Sequence, residues 1–281
     1  MRDSCHLEVG VPFAQALKQA GLLDFDRLMR HSGGGVYSLN PLRSVVRIGL
    51  NNDSLPGFFL KRHFKTPVGE LIKDLVRLRW PRSAGWKEWR AGQRFQKIGI
   101  LTYTPVAWGE RTFFLRPRDS FFISLEVQGA ERVEDYVVKS YSPPLSRESL
   151  QAKRELAARL AHLAKTMHRA GLNHHDFYLG HILIKRKGPG QDDLYVIDLQ
   201  RVEARRRVPR RLIIKDLAQL NFTASSQVVT LCDRIRFLKL YLGCRKMSSA
   251  DKRLAIAIGK KTEKISRHTA RVLERRRKIN R

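Results

Sequence analysis

Two short segments carry acids at spacings that suit chemistry. The first runs Asn173-His174-His175-Asp176-Phe177-Tyr178-Leu179-Gly180-His181 into the apolar Ile182-Leu183-Ile184. The second, Tyr195-Val196-Ile197-Asp198-Leu199-Gln200, ends an apolar run on an acid twenty-two residues after Asp176. Phosphoryl transfer uses little covalent help and relies on positioning and on neutralising phosphate charge. It asks for one carboxylate that accepts a hydroxyl proton and another, at a strand end, that holds Mg²⁺. A hairpin with Asp176 at one end and Asp198 at the other meets that need. A lone His-x-Asp would equally describe a surface loop with a capping aspartate. The helix before, the strand after and the second acid favour chemistry.

The complementary half of such a site is expected upstream. Phe58-Phe59-Leu60-Lys61 is an apolar strand ending in a lysine that could reach ATP phosphates, with Arg62 as its competitor. Glu88, in Trp86-Lys87-Glu88-Trp89-Arg90-Ala91, falls on a helical stretch and could pair with that lysine. A snorkelling surface lysine and a solvated glutamate are the ordinary readings of the same residues. Gly33-Gly34-Gly35 could cover phosphates, with Gly34 and Gly35 as nucleotide contacts, although the run lacks G-x-G-x-x-G spacing and reads equally as a turn. His168, His174, His175 and His181 have no strong zinc-ligand spacing.

The elements that must hold these residues follow from periodicity. Residues 1–30 read as helical, with Phe13, Ala16, Leu17 and Ala20 on one face. Residues 33–65 change to short β-like runs, and residues 68–98 return to helix, interrupted at Pro81. Strands near 112–116 and 121–127 are expected, joined by Pro117-Arg118-Asp119. Residues 150–169 carry Leu156, Leu160, Leu163, Ala164 and Met167 as one stripe, and Gly171 stands where a C-terminal cap belongs. Strands first and helices afterwards predict an α+β molecule of protein-kinase-like, two-lobed form. The β-rich N-terminal lobe would span residues 1–128 and the mainly helical C-terminal lobe residues 129–281.

The chain has 281 residues with 55 Lys+Arg against 26 Asp+Glu, a net charge of +29. Such an excess describes partners rather than fold. Residues 245–281 hold 14 basic and 3 acidic side chains and read as a basic helix: a solvated face, a surface for anionic lipid, or a site for RNA. Three cysteines without paired spacing suit a reducing compartment. Neither an apolar run of about 18 residues nor a secretory h-region stands out. A cytoplasmic enzyme, peripheral on the inner face of the cytoplasmic membrane, is the expectation.

Further segments extend these motifs: Phe59-Leu60-Lys61-Arg62-His63-Phe64, Leu78-Arg79-Trp80-Pro81, Ala107-Trp108-Gly109-Glu110-Arg111, Gly171-Leu172-Asn173-His174-His175-Asp176, Val196-Ile197-Asp198-Leu199-Gln200-Arg201 and Lys215-Asp216-Leu217. In this order the chain resembles the lipopolysaccharide core kinases that phosphorylate Kdo or heptose, closest to the heptose I kinase branch. The resemblance covers roughly residues 35–225. It implies Asp176 as catalytic base, Lys61 as the ATP-phosphate lysine with Glu88 as partner, Asp198 as Mg²⁺ ligand, and Asp216 as a buried acid propping the loop. Two positions depart from pattern. His175 stands where the family more often has Arg, and His181 stands where protein kinases place a metal-binding Asn. His181 is thus either a metal ligand or a contact to phosphate or substrate, and a purely structural histidine fits as well.

The implied partners are a lipid-linked core oligosaccharide acceptor and the anionic membrane, with a small acidic protein as a further candidate and nucleic acid disfavoured. ATP and Mg²⁺ are the implied cofactors. Two other functions compete. One is a kinase acting on another glycolipid or a protein, against which stands Arg205-Arg206-Arg207 where an A-P-E-like segment would close an activation loop. The other is a basic scaffold or nucleic-acid binder on a degenerate kinase fold, which the retained Lys61, Glu88, Asp176 and Asp198 oppose.

Overall fold

The structure, a computed structural model, describes residues 4–31, 33, 35–48, 57–65, 69, 80–113, 116–188 and 191–279. It forms two compact units. One comprises Met1–Lys97, Thr102–Gln128 and Leu199–Arg201; the other comprises Ile98–Leu101, Gly129–Asp198 and Val202–Arg281.

The first unit is built on one antiparallel sheet. Its elements are β1 (Ser4–Val9), α1 (Ala14–Gln19), α2 (Phe25–Arg30), β2 (Gly35–Asn40), β3 (Arg43–Ile48), β4 (Phe58–His63), α3 (Ala84–Lys97), β5 (Pro105–Phe113) and β6 (Arg116–Leu125). The strand order is β1-β5-β6-β4-β3-β2. The strong alternation of β4, buried at Phe58, Leu60 and Arg62 and half-buried at Phe59, Lys61 and His63, sends successive side chains to opposite faces. Phe58 and Leu60 join Leu17, Phe25, Leu28, Phe121 and Ile123 in the core under α1 and α2. Lys61 pairs in register with Phe122 on the other face, where α3 packs.

Two expectations are corrected here. Residues 1–30 are not uniformly helical: Ser4–Val9 is a strand paired with Ala107–Thr112 of β5. Its Leu7 and Val9, two apart, pack against the core, so period two wins locally over the helical pattern that begins at Phe13. Pro117-Arg118-Asp119 is not a turn but part of β6. Pro117 lies beside a register shift in the β5–β6 ladder and beyond the stretch of β6 that β4 pairs, so its missing N–H breaks no required bond.

Gly85, Glu88 and Gly92 fall at helical spacing on α3. A Cβ on Gly85 would lie 2.3 Å from the Phe121 carbonyl oxygen, and one on Gly92 3.0 Å from Pro105 Cγ. The bare glycine face lets the helix lie close on β5 and β6 and brings Glu88 down to the sheet. Gly85→Ala is therefore expected to push the helix away and cost about 1–3 kcal/mol, the usual range for overpacking. Urea denaturation checks this, and unchanged stability would contradict the close contact.

The second unit contains β7 (Ala130–Arg132), α4 (Val133–Ser140), α5 (Arg147–Arg169), β8 (Leu172–Asn173), β9 (Ile182–Lys185), β10 (Asp193–Val196), β11 (Glu203–Ala204), α6 (Arg210–Thr223), α7 (Leu231–Leu242) and α8 (Ser249–Ile279). Two small sheets, β10-β9-β7 and β11-β8, sit among the helices. Ser146 caps α5 by accepting the Ser149 N–H at 3.1 Å. Leu156, Leu160, Leu163, Ala164 and Met167 are its buried stripe. Gly171 follows the helix with φ 76°, and a Cβ there would lie 2.0 Å from the Arg205 carbonyl oxygen. Only glycine makes this turn so close to β11, and the turn aims the chain into the Asp176 loop. Among the described residues no helix is long and apolar enough to cross a membrane.

Candidate active site

The expected residues gather in two groups, one in each unit. In the first unit, Lys61 Nζ donates to Glu88 Oε1. Glu88 is fully buried and the Lys61 side chain is 12% exposed, so this is a desolvated pair rather than a surface bridge. Lys61 Nζ also lies 5.7 Å from the Tyr103 ring centroid, within cation–π range. Arg62, the competitor, points to the opposite face. Its Nε donates to Ser44 Oγ at 2.8 Å, and its Nη1 donates to the carbonyls of Met29 and His31 at 3.0 and 2.7 Å. That arginine ties α2 to the sheet. Gly35 opens β2 and is exposed, while Gly34 lies outside the described residues.

In the second unit, Asp176, His181 and Asp198 come together. His181 Nδ1 bonds the Asp176 carbonyl oxygen at 2.8 Å, and a carbonyl only accepts, so Nδ1 carries the proton. The other ring nitrogen, Nε2, therefore presents its lone pair in the neutral form, 3.8 Å from Asp198 Oδ2. Two electron-rich atoms face one another there, an arrangement that a proton or a cation between them relieves. His174 makes a second bridge. Its Nε2 donates to the Ile197 carbonyl at 3.0 Å, and its Nδ1 accepts the Asp176 N–H at 3.3 Å. Both bonds suit a neutral ring, and burial pushes the His174 pKa down in agreement.

Two residues here hold left-handed backbone without being glycine: His175 at φ 69° and Asp198 at φ 60°. Such strain persists only where the surroundings enforce it, and it collects at functional sites. For His175 the enforcement comes from α6. Buried Asp216 accepts the His174 N–H at 2.8 Å and the His175 N–H at 3.0 Å, and it meets His168 Nε2 at 3.3 Å. Burial pushes its carboxyl up, but the bonds and charges of His168 and His174 prevail and hold it below the usual carboxylate range. One turn on, Gln219 Oε1 accepts the Phe177 N–H at 3.2 Å while its Nε2 donates to the His175 carbonyl at 2.8 Å. Thr223 Oγ1 then accepts the Leu179 N–H at 2.9 Å.

Sequence reasoning named Asp216 but missed Gln219 and Thr223. Asp216, Gln219 and Thr223 recur at i, i+3 and i+7, a polar line on an otherwise apolar helix face, and that spacing was the available signal. It also missed that His168 hands the network on to Tyr241 Oη at 2.9 Å, tying α7 to the loop. His175 lies 3.5 Å from Glu203 Oε1, across the β8–β11 pair.

An antiparallel sheet bearing a buried Lys–Glu pair, followed by a helical unit bearing a braced aspartate loop, defines the kinase class. Within that class the chain belongs to the lipopolysaccharide kinase (Kdo/WaaP) family, whose model matches residues 43–241. It is 34% identical over 244 residues to the lipopolysaccharide core heptose(I) kinase WaaP of Escherichia coli K12, covering 85% of this chain and 89% of that protein. It is 35% identical over 189 residues to the protein of the same name from Pseudomonas aeruginosa, covering 66% and 69%. A solved structure described as WaaP in complex with acyl carrier protein superposes with a TM-score of 0.72 at 28% identity, covering 92% of this chain and 98% of that one.

Proposed function

We propose that this chain transfers the γ-phosphoryl group of ATP to a hydroxyl of a heptose in the lipopolysaccharide inner core. The observation that carries the mechanism is the loop in which His174 links the Asp176 N–H to the Ile197 carbonyl and His181, held by the Asp176 carbonyl, faces Asp198, while Asp216 and Gln219 brace its backbone. In this reading Asp176 accepts the proton of the attacking hydroxyl. Lys61, oriented by Glu88, holds the phosphates of ATP by charge. Gly35, at the start of β2, and the neighbouring Gly34 are the candidate backbone contacts to the nucleotide. The stretch 1–128 serves as the nucleotide-covering lobe and 129–281 as the lobe that carries the loop.

Asp198 and His181 are the candidate metal site. Mg²⁺ prefers oxygen ligands, keeps several waters and is commonly bound through one or two carboxylates plus substrate phosphates. A single Asp198 carboxylate fits that habit, and the facing His181 Nε2 lone pair adds a site that attracts a cation. When bound, Mg²⁺ would neutralise phosphate charge. The residues themselves fix the carboxylate's direction through the left-handed turn at Asp198 and the Ile197 carbonyl held by His174.

The +29 charge and the basic C-terminal segment support a peripheral position on the inner face of the cytoplasmic membrane, where a lipid-linked acceptor carrying carboxylates and phosphates would be met. The same charge suits a small acidic protein as partner, as in the acyl carrier protein complex of the related WaaP. The substrate is tested by mass spectrometry of the core oligosaccharide from a strain lacking the gene. The expected result is a heptose lighter by one HPO₃ group, restored by the wild-type gene and not by an Asp176→Asn copy. An unchanged core would refute the assignment.

A further inference from the structure

The charge of this chain has a regular display on α8. At 100° per residue, Lys260, Lys264, Arg267, Arg271, Arg275 and Lys278 fall within about 40° of one line down the helix. All six are exposed. The line runs about 27 Å at 1.5 Å per residue. No acid shares it. Glu263 and Glu274 flank it, pairing with Arg267 and Lys278 at 3.4 and 3.0 Å. Over the first half of the helix the opposite face is turned inward: Ile258 is buried, and Thr262 Oγ1 accepts a hydrogen bond from Asn221 Nδ2 of α6 at 3.0 Å, whereas further on Leu273 of that face is 51% exposed. The stripe therefore looks away from the unit's own packing.

We infer that this stripe is a docking surface for an anionic lipid bilayer, an inference that rests on the peripheral reading above and names the surface responsible. A straight row on one helix can meet a flat sheet of headgroups with all its charges at once, and mobile anionic lipids can gather beneath it. Ile256, 59% exposed at the edge of the stripe, is placed to enter the headgroup boundary. Single-stranded nucleic acid is the poorer fit. Proteins that hold it interleave basic and aromatic residues so that bases can stack, and residues 249–279 contain no Phe, Tyr or Trp.

The test is sedimentation of the full chain with phosphatidylcholine vesicles made with and without phosphatidylglycerol, at low and high salt. The probe variant is Lys260→Glu/Lys264→Glu/Arg271→Glu/Arg275→Glu, with the four Gln replacements as a milder companion. Each basic residue near an anionic surface is worth about fivefold in partitioning, so the reversed variant should bind at least a hundredfold more weakly. Wild type should bind only the anionic vesicles and be released by salt, since the Debye length shrinks to about 3 Å at 1 M. Both variants should keep wild-type turnover on a delipidated, soluble acceptor, which shows them folded. Binding of the reversed variant equal to wild type would overturn the surface and leave the peripheral reading standing. Wild type that ignores anionic vesicles, or that is captured by an RNA oligonucleotide or a soluble acidic protein instead, would overturn both. The kinase reading stands or falls separately, on the soluble-acceptor assay.

Discussion

Asp176→Asn is expected to lower phosphoryl transfer by about 10²–10⁴-fold, the usual effect of losing a general base. The substitution keeps side-chain size and leaves the main-chain bonds of the loop intact. The Asp176 N–H still meets His174 Nδ1, and its carbonyl still accepts from His181 and from the Tyr178 N–H at 2.9 Å. Asp216 and Gln219 grip the neighbouring backbone regardless of what side chain stands at 176. Thermal unfolding should therefore match wild type, and the loss should fall on kcat with little change in KM for ATP. Steady-state kinetics with a soluble acceptor supply the numbers. Turnover within about tenfold of wild type would remove Asp176 from the role of base.

Lys61 and Arg62 are neighbours with opposite duties, and their variants should separate cleanly. Lys61→Met removes the charge that Glu88 aims and should reduce turnover by about 10²–10³-fold, as for loss of a preorganised electrostatic group. Because a buried Glu88 would then lack its cation, some stability is lost too. Arg62→Met should act the other way round. It leaves the Ser44 hydroxyl and the Met29 and His31 carbonyls without their donor. At about 1–3 kcal/mol for each buried group left unsatisfied, several kcal/mol of stability should go. The fraction that stays folded should retain most of its activity. The period-two alternation of β4 forces this division, because a slip of one residue would exchange the two faces. A normal Lys61→Met enzyme beside an inactive but stable Arg62→Met enzyme would mean that the register of β4 is wrong.

The parts of the molecule that sequence made legible are those where one periodicity runs unopposed. The stripe of α5 and the glycine that ends it could be read because Leu156 to Met167 repeat on a single face and Gly171 alone tolerates its backbone. The Asp176–Asp198 hairpin is readable because one apolar strand follows the first acid and another leads into the second. The strand at Ser4–Val9 was not, since six residues with two half-buried apolar positions look much like a helix start. Pro117 reads as a turn until the ladder irregularity beside it is seen. The polar line of Asp216, Gln219 and Thr223 marks a bonding face on α6, but which loop Gln219 and Thr223 brace depends on what lies over that helix. Likewise the bridges through His174 and His181 depend on tautomers set by distant carbonyls, so histidine spacing alone left them ambiguous between metal, substrate and structure.

The most direct measurement is transfer of label from γ-labelled ATP to a dephosphorylated, heptose-containing core oligosaccharide by the purified full chain. Wild type should label the heptose stoichiometrically in the presence of Mg²⁺, with Asp176→Asn and Asp198→Ala silent on the same time scale. Labelling that is absent with wild type, or that persists undiminished in the Asp176→Asn protein, would contradict the account.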